Sequence, residues 1–201
     1  MSELNKEEDL RSETERVKRV SDMLITAHSY LREKYNRLAL SLDLAILALS
    51  IWLTSVVFIE PKISVKLTPF QLDPQIWVGL LGVFTLFLSI LQLRVDWKGV
   101  SEAHAHSAEM YAKTKNECRR MLESAVPLTR EECQSVFTHY DLCSDLGRPI
   151  PEGAFLKLKR RHLCKVAMSR YLDGHPAGSL PLIRARMWWR YNIKPAKGPL
   201  K

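Results

Sequence analysis

Glycine is scarce, 8 in 201 residues, and none of it forms a phosphate-cradling loop. Cysteine is scarcer still: Cys118, Cys133, Cys143 and Cys164 are spaced by 15, 10 and 21 residues, with no C-x-x-C pair. That spacing argues against a zinc cluster or a dithiol redox centre and favours reduced intracellular thiols. His104 and His106 lie two apart, which on a helix points them to different faces, so they are expected to be packing or surface residues and not metal ligands. Paired catalytic carboxylates and a nucleophile motif are also missing. The expectation is a protein that is not an enzyme, with no catalytic residue, no metal and no cofactor. The first 37 residues are densely charged and lack an apolar core with a cleavage site, so they do not look like a secretory leader.

What is present is unevenly placed. Apolar residues make up 46% of the chain and charged residues 26%, with a net charge of +8. Averages of this kind fit a basic soluble globule, and they hide the layout. Residues 1–37 hold 8 basic and 8 acidic side chains. Residues 148–201 hold 13 basic and 2 acidic, a net of +11, so the basicity belongs to the last quarter. A surplus of that size favours an anionic partner, either nucleic acid or acidic lipid.

Between these regions lie two apolar runs. Residues 38–59, LALSLDLAILALSIWLTSVVFI, contain Asp43 as their one charge. A helix of that length reaches roughly 33 Å, enough for a hydrocarbon core. Residues 76–93, IWVGLLGVFTLFLSILQL, carry no charge, and Trp77 and Trp97 sit near the two ends as interfacial anchors would. The pattern predicts a transmembrane hairpin; the other way to use it is a pair of buried helices in a soluble bundle. The joining segment, 60–75, has prolines at 61, 69 and 74 and is expected to be an extracytoplasmic connector. Arg32, Lys34, Arg37, Arg94 and Lys98 flank the runs, against Lys62 and Lys66 in the connector. Five against two places both termini in the cytoplasm.

The fold class expected is therefore an all-α membrane protein. Residues 1–37 form an amphipathic cytoplasmic helix, with Leu10, Val17, Val20, Leu24, Ala27, Leu31, Tyr35 and Leu38 as its apolar stripe. The spans are 38–59 and 76–96, followed by cytoplasmic helices over 97–147 and a basic helical module over 148–201. Trp97, Val100, His104, Ala108, Tyr111, Cys118 and Leu122 mark a second stripe. The two stripes either pack as an antiparallel pair or mediate self-association. Thr129-Arg130-Glu131-Glu132 fits a capping box that opens a helix ending near Gly147. Another helix runs from Pro151 to about Asp173, with Phe155, Leu158, His162 and Val166 as its apolar positions. The tail after Ser179 permits a helix, yet residues 184–187 alternate as a strand would.

Two helices cannot enclose an aqueous path, so a channel needs several copies, roughly four or more, around an axis. Candidate lining positions recur at steps of three and four: Asp43, Leu47, Ser50 and Thr54 in the first run; Gly82, Thr85, Ser89, Gln92 and Asp96 in the second. A carboxylate ring near the cytoplasmic mouth would favour cations. Ser, Thr and Gly also serve tight helix packing in lipid, so the stripes have a purely structural reading too. In the basic module, Lys157, Lys159, Arg160, Arg161, Lys165, Arg170, Arg184, Arg186 and Arg190 are candidates for binding the phosphates of a nucleotide or oligonucleotide, with Trp188, Trp189 and Tyr191 stacking on bases. Attraction to anionic lipid, or a merely solvated charged surface, accounts for the same residues.

The hairpin, the segment WKGVSEAHAHSAEMYAKTKNECRRML after the second run and the segment RPIPEGAFLKLKRRHLCKVAMSRYLDGHP resemble the SLATT family of bacterial two-transmembrane effectors, from about Tyr30 to about Pro176. The resemblance implies an oligomeric pore in the bacterial inner membrane that arrests or kills an infected cell. Control would come from a nucleotide made by a partner nucleotidyltransferase, opening the pore or holding it closed. The competing expectation is a membrane-anchored adaptor that binds nucleic acid or lipid and conducts nothing.

Overall fold

A computed structural model of the protein describes residues 3–58, 73–124 and 126–192, with side chains described within 7–189. Among these residues the secondary structure is helical, with no strand. The connector expected over 60–75 lies outside the described residues up to position 72.

Helix α1 runs unbroken over Glu3–Phe58, 56 residues, because that stretch contains neither proline nor glycine to stop it. At 1.5 Å per residue it is roughly 84 Å long, and it joins the charged N-terminal segment and the first apolar run into one rod. Helix α2, Pro74–Val95, opens with Pro74 in its first turn and with the Asp73 carboxylate accepting from the Gln75 N–H at 2.9 Å. It stops at Asp96, whose φ of 41° and ψ of 52° are left-handed. The same residue starts helix α3, Trp97–Glu123, its carboxylate accepting from the Gly99 N–H at 3.0 Å. Asp96 thus ends one helix and caps the next. A Cβ on Gly99 would run into the Asp96 carboxylate, which would have to shift out of its capping position.

Contacts between α1 and the second arm run in opposite directions along the two. The Lys115 ammonium meets Asp22 at 2.5 Å, His28 meets His104, and the Ser101 hydroxyl donates to the Arg32 carbonyl at 3.0 Å. Further along, Gln92 donates to Asp43 and Trp52 meets Trp77 edge-on at 5.9 Å. The rising numbers on α1 and falling numbers on its partner define an antiparallel pair along most of the molecule. Of the two arrangements left open by the stripes, the chain therefore contains the intramolecular one.

Helix α4, Arg130–Leu146, turns back onto the N-terminal end of this pair, where Val17, Cys118 and Val136 form a small core with Met121, Phe137 and Tyr140 against it. Cys118, Cys133 and Cys143 are fully buried, and burial pushes the Cys118 thiol up to about 11. All four cysteines are free. The capping box expected at α4 takes a different form. The Thr129 hydroxyl donates to the Glu132 carboxylate at 2.6 Å, and no side chain caps the backbone. The two side chains satisfy each other because both reach the same spot above the first turn.

Residues 150–201 form a second compact unit. It contains α5, Glu152–Gly174, and α6, Leu180–Asn192, linked by a turn in which the Gly178 N–H donates to the His175 carbonyl at 3.0 Å. The tail is therefore helical where residues 184–187 left a strand open. Short alternation cannot outweigh a helix start at Ser179, whose carbonyl accepts from the Ile183 N–H at 3.0 Å.

Candidate functional site

The apolar runs of α1 and α2 are long and apolar enough to cross a membrane. Their large side chains point outward: Leu47 is 56% exposed, Ile51 59%, Phe87 58% and Val83 69%. Core helices of a soluble bundle bury such residues, whereas within this single chain they are left exposed, as helices able to cross a membrane would leave them. The seam between them is narrow, with Leu42, Val56 and Leu81 as its buried members.

Polar positions cluster along this seam. Asp43 and Gln92, both exposed, are joined by a hydrogen bond of 2.5 Å from the Gln92 amide to the carboxylate. Seven residues further on α1 and seven back on α2 lie Ser50 and Thr85, which an antiparallel pair holds at one level, and both are half-buried. Ser50, Thr54, Thr85 and Ser89 turn their hydroxyls onto the carbonyls one turn before them, at 2.8 to 2.9 Å. Those bonds satisfy the hydroxyl donors within their own helices and leave the oxygens free to accept. The expected stripe on the second run loses its last member, because the left-handed turn at Asp96 breaks the helical register and commits its carboxylate to capping α3.

In the second unit the basic residues do not gather at one point. Lys157, Arg161 and Lys165 are exposed on one face of α5, within roughly 80° of arc at 100° per residue. Lys159 and Arg170 lie on the opposite face, and Arg160 lies at its own edge; all three are exposed. On α6, Arg184 and Arg186 are exposed and two residues apart, hence on different sides. Trp188 and Trp189 are more than half exposed. The side chains of Arg190 and Tyr191 lie outside the described residues.

An open cleft of about 380 Å³ lies at the turn between α5 and α6. Arg186 lines it and donates to the Tyr171 hydroxyl at 3.2 Å, and the His175 ring stacks on Tyr171 with centroids 4.5 Å apart. A cation next to stacked rings suits an aromatic anion. Tyr171 and His175 escape a search for basic residues, although their i, i+4 spacing on a helix was a usable signal. Among the described residues no group of three or more His, Cys, Asp or Glu could hold a metal ion.

His28 is the other residue that an apolar search passes over. Thr14, Ser21, His28 and Tyr35 recur at intervals of seven, and the first three are buried, so the inner face of α1 includes a polar row beside its aliphatic one. His104 is buried opposite His28, while His106 is exposed.

No family model, no curated protein and no solved structure matches this chain.

Proposed function

We propose that the protein is a multi-pass inner-membrane protein that assembles into an ion-conducting pore, with Asp43, Ser50, Thr54, Thr85, Ser89 and Gln92 lining the path. The observation that carries this is the exposed Asp43–Gln92 pair on an otherwise lipid-suited surface. A charge facing lipid costs about 2.5–3.5 kcal/mol at mid-bilayer and less toward the interface. Copies arranged around an axis turn the same carboxylate toward water and toward cations, removing that cost.

Control belongs to the basic second unit, which would take a nucleotide or oligonucleotide. The cleft with Arg186, Tyr171 and His175 supports a single base or nucleotide there. The spread of the remaining cations around α5 suits a longer anion or an anionic bilayer surface equally well. The SLATT resemblance supplies the setting: a bacterial defence effector answering to a partner nucleotidyltransferase, with both termini in the cytoplasm.

Planar-bilayer recording tests the lining. The full-length protein is expected to be cation-selective, Asp43→Asn to lose most of that preference, and Asp43→Lys to reverse it by about tenfold or more in permeability ratio. Unchanged selectivity in all three removes Asp43 from the path. Ligand binding without any conductance would favour the membrane-anchored adaptor.

A further inference from the structure

The inner face of the α1–α3 pair is polar to an unusual degree for a helix seam. Thr14, Ser21 and His28 from α1 face inward, as do Ser101, His104, Ser107 and Thr114 from α3, each at most 6% exposed. Several of these satisfy themselves locally: Thr14 donates to the Leu10 carbonyl at 2.8 Å, Ser107 to that of Ala103 at 3.0 Å, and Thr114 to that of Met110 at 3.3 Å. Such bonds do not hold one helix to the other. Two contacts do: the Ser101 hydroxyl donates to the Arg32 carbonyl at 3.0 Å, and the His28 and His104 Nδ1 atoms lie 3.0 Å apart with both residues 2% exposed.

That geometry admits one arrangement of protons when both rings are neutral. One ring carries its proton on Nδ1 and donates; the other carries it on Nε2 and accepts at a bare Nδ1. A first added proton can sit on the donor ring's Nε2 and leave the bond intact. A second must go onto the accepting Nδ1, and then two N–H groups confront each other at 3.0 Å.

Burial and neighbouring positive charge oppose both charges. From α1, Tyr35 stacks on His104 with centroids 5.8 Å apart; from α3, Tyr111 stacks on His28 at 5.7 Å. From α4, Tyr140 packs on Tyr111, and just beyond it the Arg148 N–H donates to Ser107. Burial first, and then the His104 ring, hold His28 down to about 4. Burial first, and then the Arg148 guanidinium, hold His104 below its ordinary value. The charge from outside the pair that lowers His104, Arg148, is thus cationic. The nearest ion pair across the seam, Asp22 with Lys115, lies six residues along α1 and is self-neutralised.

We infer that His28 and His104 form a proton-binding latch: the shared N–H···N bond holds α1 to α3 while both rings are neutral, and uptake of two protons releases the two helices beneath their apolar segments. His28 lies ten residues before Leu38, roughly 15 Å along the helix. The sign follows from the lowered values. The latch is at full strength above the free imidazole value near 6.5 and weakens as pH falls from there toward the values of the closed pair. One unit below 6.5, the released His28 imidazole biases the equilibrium toward separation about tenfold, and His104 adds to that bias in the same direction. The inference concerns the α1–α3 contact and stands whether or not the assembled protein conducts.

Spin labels on Ser29→Cys and Glu102→Cys, both exposed positions, read the separation in full-length protein in liposomes, with the exposed Cys164 changed to Ser. Cys118, Cys133 and Cys143 are buried and resist labelling at pH 8. The expected result is one narrow distance at pH 8 and a longer population that grows below pH 6.5 and dominates by pH 5.5. The double variant His28→Gln, His104→Gln should hold a single distribution across that range. A distribution unchanged from pH 8 to pH 5 overturns the latch, as does an equal shift in the double variant. Should that variant not fold, histidine carbon signals of the unsubstituted protein decide. Two histidines with depressed, linked titrations that coincide with the distance change support the latch; titration near 6.5 without that change overturns it.

Discussion

Below residue 37 the long antiparallel pair is dry on a polar seam and charged outside; above it the same α1 is apolar outside, with Leu42 and Val56 buried within. One helix, with no break, carries both patterns. The surface of the pair changes from charged to apolar near Arg37–Leu42 on α1 and near Arg94–Trp97 on the other arm. The left-handed turn at Asp96 falls at the same level. The lower half is held by hydrogen bonds, a small core and a helix laid across it; the upper half is held by a thin seam and by whatever surrounds it.

Equal substitutions in the two halves test this contrast most strongly. Leu31 is 4% exposed and Leu44 55%. Leu31→Ala is expected to destabilise the detergent-solubilised protein by about 2–4 kcal/mol, whereas Leu44→Ala costs about 0.5 kcal/mol or less. Thermal midpoints measured in one detergent compare them, and equal losses would erase the contrast.

At the boundary, Asp96→Ala removes a cap and puts an ordinary residue in a left-handed turn, for about 1–2 kcal/mol. Asp96→Asn, which caps and tolerates that conformation, should be nearly neutral. Gly99→Ala should resemble Asp96→Ala because its Cβ would displace the capping carboxylate. A different order of these three midpoints would mean that the boundary is held by something other than the cap.

The smallest effect is expected at Lys115–Asp22, whose side chains are 35% and 38% exposed. Asp22→Asn should cost about 0.5 kcal/mol and lose that effect in high salt. A salt-independent loss of several kcal/mol would mean that the pair is buried in the assembled protein.

Much of this architecture is legible in the sequence because it rests on long, local signals. Two apolar runs, an unbroken α1 and prolines at helix starts need no knowledge of partners. The stop at Asp96 was not legible, because at four residues from Gln92 it continues the stripe of the second run. The polar seam was not, because Thr14, Ser21 and His28 look like surface residues until a partner helix covers them. The Asp43–Gln92 bond joins residues 49 apart, each of which explains itself locally as a near-interface polar residue. Basic residues were easy to count in the last quarter, yet a count does not reveal that they surround α5 and leave only Arg186 in the cleft among the described ones.

The most direct measurement is ion flux from liposomes containing the purified full-length protein, with co-purified nucleotides retained or removed. A cation leak that changes on removing the nucleotides, and that Asp43→Lys abolishes or reverses, is the predicted result. Sealed liposomes in both conditions, with the protein inserted, would contradict the pore.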